Sequence, residues 1–169
     1  MNRFQVIVSS VILFLIASSP LHAASPKEIE TVTATLKSAS TGLVKSYNDH
    51  QVEQMLQHEG YGSVSIIEEG KIRFKADGHI YVIYIHDDGD MHIYFGSSGL
   101  QLSYEDINEW NRTTRLSRAY LDTENDIALE ADLLANAGIN RDMVLQMVKV
   151  FVRSSTPRFI QFAKENDKN

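Results

Sequence analysis

The spacing of apolar residues changes several times along the chain, and each change predicts a boundary between structural elements. Asn48 to Gln51 is typical of a helix start, because Asn48 can cap the first turn and Gln51 can bond back to it. Gly60 suits the left-handed position at which a helix ends. The apolar face of this predicted helix is Val52, Met55 and Leu56.

From Tyr61 the apolar positions alternate with polar ones, which predicts four antiparallel strands in a row. Glu69-Gly70 and Asp77-Gly78 are the expected tight turns, and Asp87 to Asp90 is the third. Residues 80–85, IYVIYI, are apolar on both faces, so we predict that this strand is central in the sheet.

The second half of the chain predicts a helix, a two-stranded hairpin and a final helix. Ser103 can cap the first of these helices, whose apolar face is Ile107, Trp110 and Thr114. The last helix is capped by Asn140 and has the widest apolar stripe in the chain. Thr156-Pro157 must kink or restart it, because proline removes a backbone donor. The element order predicts an α+β fold, an antiparallel sheet packed by helices.

The first residues have the pattern of a cleavable signal peptide. Asn2-Arg3 precedes an apolar run from Phe4 to Ala17, and small residues offer cleavage after Ala23 or Ala24. We therefore expect a periplasmic or secreted protein without stable membrane insertion after cleavage, the alternative being an uncleaved N-terminal anchor. The predicted organisation is a signal peptide at 1–23, a tether or frayed helix at 24–42, one domain at 43–164 and a frayed tail at 165–169.

Charge and cysteine content exclude several classes of function. Without Arg3 the chain has 15 basic against 22 acidic residues, a formal charge of −7. This balance argues against nucleic acid as the partner, because binding to phosphates needs clustered Lys and Arg. The absence of cysteine excludes thiol catalysis, disulfide exchange and cysteine-ligated metals.

Catalytic and metal-binding patterns are equally unsupported. His86 and His92 flank the Asp87–Asp90 turn, and a four-residue loop would place them on opposite faces of the sheet. There is no Gly-x-Ser-x-Gly sequence, and the order of aspartates does not fit a calcium loop. We therefore predict no catalytic, cofactor-binding or metal site, and a protein that is not an enzyme.

Arg112, Arg115 and Arg118 form the one compact basic cluster in the sequence. They could hold a carboxylate or phosphate, or Arg112 could pair with Glu109 one turn back along the helix. Trp110 is more typical of a core anchor than of a ligand platform. The candidate structural or interaction motif is Asn108, Trp110, Asn111, Arg112, Arg118 and Tyr120.

These residues resemble the YbjN domain family. The resemblance is carried by the residue runs 108–112 (NEWNR), 118–122 (RAYLD), 129–133 (LEADL) and 138–140 (GIN), and it covers about residues 43–162. It implies a fold like that of type III secretion chaperones, α-β-β-β-α-β-β-α, to which this sequence adds one upstream strand. The family is described as bacterial sensory transduction regulators. The signal peptide and Thr156-Pro157 depart from the expected pattern.

We expect from this resemblance an exported, non-enzymatic, chaperone-like or regulatory module that binds an unknown protein or extended peptide, and that forms a homodimer. The alternative is a small-molecule-sensing domain with a pocket between sheet and helices, for which the aromatic residues of the strands would be suited.

Overall fold

The computed structural model describes residues 25–27, 29–31 and 42–168. The predicted signal peptide and most of the predicted tether lie outside the described residues. Two compact units divide between Leu36 and Lys37. In the first, residues 26–27 and 29–31 are helical, and the Ile29 amide donates to the Ser25 carbonyl at 3.0 Å. None of the described helices has the length and apolar character needed to span a membrane.

Residues 42–168 form a helix, four strands, a helix, two strands and a final helical segment, so the predicted α+β class and element order are confirmed. The elements are α1 Asp49–His58, β1 Gly62–Glu68, β2 Lys71–Ala76, β3 His79–Ile85, β4 Met91–Ser97, α2 Tyr104–Thr113, β5 Arg118–Leu121, β6 Ile127–Leu133, α3 Arg141–Val150 and α4 Thr156–Glu165. The predicted caps are present at three helix starts: Asn48, Ser103 and Asn140.

The strands of this part of the chain form one six-stranded sheet in the order β1-β2-β3-β4-β6-β5. All five pairs are antiparallel, and β3 is internal as its apolar sequence predicts. Asp77 and Gly78 both have positive φ, 49° and 83°, which gives the tight hairpin turn that their sequence predicts. Ala76 therefore pairs with His79 directly across the turn.

The β3–β4 turn differs from the prediction by one residue. Ile85 pairs with Met91, so the residues between them number five, and His86 and His92 lie on the same face. The cause is Gly89, whose φ of 90° forms a bulge after a turn closed by the Gly89 amide and the His86 carbonyl. The prediction of an even loop with opposed histidines was wrong.

The helices pack on one face of the sheet, called the inner face here, which carries Phe74 and Tyr81. The Tyr81 ring meets Phe151 edge-on at 6.1 Å, and Trp110 of α2 meets Phe159 of α4 at 5.0 Å. These contacts join both C-terminal helices to the sheet and to α2 in one buried core. The opposite face is called the outer face.

The final helical segment is continuous but changes its winding near Pro157. Residues Phe151–Ser155 form a π-helical turn between α3 and α4, and the Thr156 amide donates to the Phe151 carbonyl five residues back. Proline has no backbone N–H to donate, and the π-helical turn accommodates this missing hydrogen bond. The predicted interruption is therefore a local change from α-helix to π-helix.

Asp167 and Lys168, near the C-terminal end, are bonded to the loop before α2. The Asp167 carboxylate accepts from the Gln101 amide at 2.9 Å, and the Lys168 amide donates to the Gln101 carbonyl at 3.1 Å. Lys168 also lies 3.0 Å from the Asp106 carboxylate. Sequence composition did not indicate these bonds, because their partners, Gln101 and Asp106, lie more than sixty residues away.

Candidate functional site

The candidate residues of the sequence motif separate into a structural group on α2 and a polar group on the sheet. Trp110 is buried, with 3% of its surface exposed, and packs against Phe159 and Phe162 of α4. Arg112 pairs with Glu109 through bonds of 2.9 and 2.7 Å, the pairing that their spacing predicts. Asn108 is exposed on the same helix.

Asn111 ties α2 to the edge strand β5. Its side-chain amide donates to the Ala119 carbonyl at 3.0 Å, and its oxygen accepts from the Ala119 amide at 2.8 Å. Both backbone groups of Ala119 therefore point away from β6, and Asn111 occupies the place that a further strand would take.

Arg118 and Tyr120 meet at Glu130, on the outer face. The Glu130 carboxylate accepts from the Tyr120 hydroxyl at 2.6 Å and from two Arg118 nitrogens at 3.2 and 2.9 Å. Glu130 is only 8% exposed, so these charge-assisted bonds offset the cost of burying its charge. Burial raises the pKa of Tyr120 strongly, and the bond to Glu130 adds to this shift.

His92 extends this group along the outer face. Its Nε2 lies 4.0 Å from Glu130, and its Nδ1 is 2.8 Å from His86 Nε2. Burial lowers the pKa of His92; the Glu130 charge opposes that shift and His86 adds to it. Among the described residues, no group of three His, Asp or Glu side chains is placed to hold a metal ion.

A groove of about 920 Å³ lies between β6 and α3 and is called the β6 groove. It exists because β5 has four residues and β6 has seven, so β5 pairs only with residues 127–130. Leu116 has a φ of 68°, which turns the chain away from β6 just before β5 begins. β5 therefore does not continue alongside residues 131–133. The groove is lined by Leu116, Ser117, Arg118, Glu130, Ala131, Asp132, Leu133, Asn140, Asp142, Met143, Gln146, Met147, Val150 and Phe151.

One backbone segment inside the β6 groove has its hydrogen-bonding groups turned toward the open side. The backbone N–H and C=O groups of successive residues in a strand point alternately toward the two neighbouring strands. The backbone groups of Ala119 point away from β6, so those of its pairing partner Leu129 point toward β4. The backbone groups of Glu130 therefore point toward β5, and those of Ala131 point toward β4 again. The N–H and C=O of Asp132 therefore face the groove, beyond the end of β5.

The walls of the β6 groove are apolar and its rim is acidic. Leu116 is 70% exposed and Met143 38%, a large fraction for such side chains. The charged lining residues are Arg118, Glu130, Asp132 and Asp142, a formal balance of −2. Arg118 forms an ion pair with Glu130 and lies 3.6 Å from Asp132, so its positive charge is already compensated by these two carboxylates.

Sequence reasoning selected Arg118 but missed the other groove residues. Met143 and Met147 belong to the apolar stripe from which the last helix is predicted, whereas the structure leaves Met143 at the groove surface. The signal that could have found the groove is the unequal length of the two apolar runs on either side of the Asp122–Asn125 turn.

Comparison with known proteins gives one result that bears on this site. The family model YbjN, described as "Putative bacterial sensory transduction regulator", matches residues 48–160. The match begins at the α1 cap and spans all six described strands, the β6 groove and the π-helical turn. Neither a curated protein nor a solved structure matches the chain.

Proposed function

This chain belongs to the YbjN family, and from that premise we propose that it is a non-enzymatic regulatory module that binds a short extended segment of a partner protein in the β6 groove. The observation that carries this function is the backbone of Asp132, which faces an apolar groove where β5 ends. A peptide in extended form would continue β5 and pair with this backbone, the mode called strand addition.

The lining of the groove defines the chemistry of the segment. Leu116, Met143 and Met147 offer an apolar slot, and methionine side chains adapt to different partners because they are unbranched and polarisable. The acidic rim favours Lys or Arg next to the inserted side chain. We infer a segment in which an apolar residue is flanked by basic ones.

A second function, small-molecule sensing, is favoured by the size of the same groove. Its volume of about 920 Å³ falls within the range usual for ligand pockets, roughly 300–1,000 Å³. Arg118, Asp132 and Gln146 add polar groups to its lining. Among the described residues, no strand pairs with β6 beyond Glu130 on the side of β5. This open edge favours the peptide, because a small ligand does not need backbone groups of a strand edge.

We also propose that the protein acts outside the cytoplasm. The support is the basic start, the apolar run from Phe4 to Ala17 and the small residues at 23 and 24. N-terminal sequencing of the protein isolated from a periplasmic fraction tests this, and a start at Met1 in the cytoplasmic fraction would contradict it.

The binding function is tested with a library of short peptides displayed on phage or on an array. We expect the purified protein to select apolar residues flanked by Lys or Arg. Leu116→Asp should weaken binding of a selected peptide at least about tenfold, because a charge in the slot must be desolvated. Leu134→Asp is the matched control, since Leu134 is 64% exposed and lies outside the groove lining.

Strand addition makes a further demand on this experiment. Bound peptide should slow hydrogen exchange at the Asp132 amide, which would then donate to the peptide. A selected peptide that binds Leu116→Asp as well as the unchanged protein would contradict the function. Hits from a small-molecule thermal-shift screen, with no peptide selected, would favour the second function instead.

A further inference from the structure

The outer face of β3 is apolar where a solvated sheet is usually polar. Ile80, Val82 and Tyr84 alternate along that face, and Ile80 is 50% exposed. An antiparallel sheet with one face in water normally shows polar residues at these positions. The β6 groove does not use them, because it lies at the other end of the sheet, beside β5.

The centre of this outer face is also aromatic. Tyr84 stacks on His92 with ring centres 4.4 Å apart and planes inclined by 13°. The Tyr94 ring lies across Gly96, where any Cβ would collide with the Tyr94 hydroxyl. The stacked Tyr84 and His92 rings stand side by side on the sheet, and the Tyr94 ring lies over Gly96, so the centre of this face offers aromatic surface to another face.

Charges are distributed unequally on the two sides of this aromatic centre. On the β2 side, Lys71, Arg73 and Lys75 are basic, and Lys71 pairs with Glu68 at 2.6 Å. On the β6 side, the acidic residues Glu130 and Asp132 outnumber Arg118. The rim beside Tyr94 adds Asp122 and Asp126. One side is thus basic and the other acidic.

The sheet order makes this arrangement complementary to itself. β2 and β6 lie at equal distances from the line between β3 and β4. A two-fold axis along that line turns one outer face onto another and places β2 over β6. We propose that the outer face is the interface of a homodimer, with Lys71 of one protomer facing Asp132 of the partner subunit.

The register of the sheet specifies the central contacts of this dimer. Lys71, Tyr84, His92 and Asp132 follow one another across four neighbouring strands. The two-fold axis keeps this row in register, so Tyr84 lies over the partner's His92. At each end of the row, Lys71 of one protomer meets the partner's Asp132. Face-to-face sheets cross at about 30°, which the long Lys71 side chain can accommodate.

The size of the face is sufficient for a stable contact. Six strands about 4.8 Å apart and up to seven residues long, at about 3.3 Å each, cover roughly 650 Å². A standard interface buries about 600–1,000 Å² on each partner, so the contact lies at the lower end of this range and needs the whole outer face. The dimer face shares Arg118, Glu130 and Asp132 with the lining of the β6 groove, whereas Ile80 belongs to the dimer face alone and Leu116 to the groove alone. Variants of Ile80 and Leu116 therefore distinguish this inference from the proposed peptide function.

Sedimentation equilibrium of the protein purified from cells that express the full chain tests the dimer. We expect a dimer whose association weakens in high salt, since exposed charges are screened. Lys71→Glu and Asp132→Lys should each weaken association about tenfold, because every charge contact occurs twice about the axis. The double variant Lys71→Glu/Asp132→Lys exchanges both charges and should restore association.

Two apolar variants separate this surface from the β6 groove. Ile80→Asp should produce a monomer that still binds peptide, whereas Leu116→Asp should remain dimeric. A monomer at all concentrations tested would overturn the inference. So would a dimer that is unaffected by Ile80→Asp, or a double charge variant that associates no better than the single ones. Circular dichroism of each variant establishes that it is folded.

Discussion

Asn111 and Ala119 form a two-way hydrogen-bonded pair, in which a side-chain amide takes the place of a neighbouring strand. Donor and acceptor distances are 3.0 and 2.8 Å, close to those of a regular β-ladder. Because Ala119 belongs to the edge strand β5, this pair both anchors α2 and closes the sheet edge to another chain at this point.

Asn111→Ala should lower the free energy of unfolding by about 1–3 kcal/mol, because two backbone groups lose their partner. Urea unfolding followed by circular dichroism measures this change. Asn108→Ala, at an exposed position of the same helix, is the matched control and should change stability by less than about 0.5 kcal/mol. Equal losses in both variants would contradict the tie between α2 and β5.

The pKa of His92 should shift in opposite directions when its two neighbours, Glu130 and His86, are replaced in turn. Glu130→Gln removes a charge that raises this pKa, so the pKa should fall further below its usual value. His86→Gln removes a neighbour that lowers it, so the pKa should rise. NMR titration of the imidazole resonances gives both values, and shifts of the same sign would be inconsistent with the structure.

The same group links stability to pH. The folded-state pKa of His92 lies below the unfolded value of 6.5, so the neutral ring is favoured by folding. Its contribution is present above pH 6.5 and is lost as the pH falls through the folded-state value. His92→Phe should therefore flatten the decline of unfolding free energy on the acid side, as measured by urea unfolding at a series of pH values.

Gly89→Ala should destabilise the protein more than Gly78→Ala. Both glycines have φ between 80° and 90°, so each substitution costs about 1 kcal/mol of backbone strain. A Cβ at Gly89 would also collide with the Lys45 carbonyl, whereas nothing lies within 4 Å of one at Gly78. Thermal unfolding of the two variants measures the difference, and equal midpoints would contradict the close approach at Gly89.

Ser103→Ala should cost about 1 kcal/mol, because Ser103 caps α2 and donates to Asp106 at 2.6 Å. These bonds and Lys168 lower the pKa of Asp106 to about 2. A lowered pKa gives stability that is present above 3.8 and lost as the pH falls toward 2.

The acid part of this prediction is measured by urea unfolding between pH 5 and 2. Asp106→Asn should show a smaller decline over that range than the unchanged protein. Glu105→Gln, a neighbouring acidic residue in the same first turn, is the control and should follow the unchanged protein. A steeper decline in Asp106→Asn would contradict the role given to the cap.

Local sequence chemistry was sufficient for most of the fold. Asp77-Gly78 specified its turn and its register, and Asn48, Ser103 and Asn140 marked three helix starts. The same logic failed at Gly89, because a glycine in a longer turn can form either the turn itself or a bulge that follows it. The loop is one residue longer than predicted, and this difference places His86 and His92 on the same face of the sheet instead of on opposite faces.

The candidate site was less predictable, because it depends on where strands end relative to each other. Leu116 has no sequence feature that requires its positive φ, yet that conformation sets the start of β5 and opens the groove. Arg118 was recognised as part of a basic cluster, whereas its partner Glu130 lies on another strand and was seen only as part of an acidic and apolar alternation.

The difference in length between β5 and β6 also bears on timing. Only residues 131–133 of β6 extend past β5, and one of them, Asp132, turns its backbone toward the groove. A segment seated there gains few backbone bonds, so it should dissociate fast even if it associates at an ordinary rate. If the proposed peptide binds there, occupancy of the groove would follow the momentary concentration of the peptide, because the short strand would retain it only briefly.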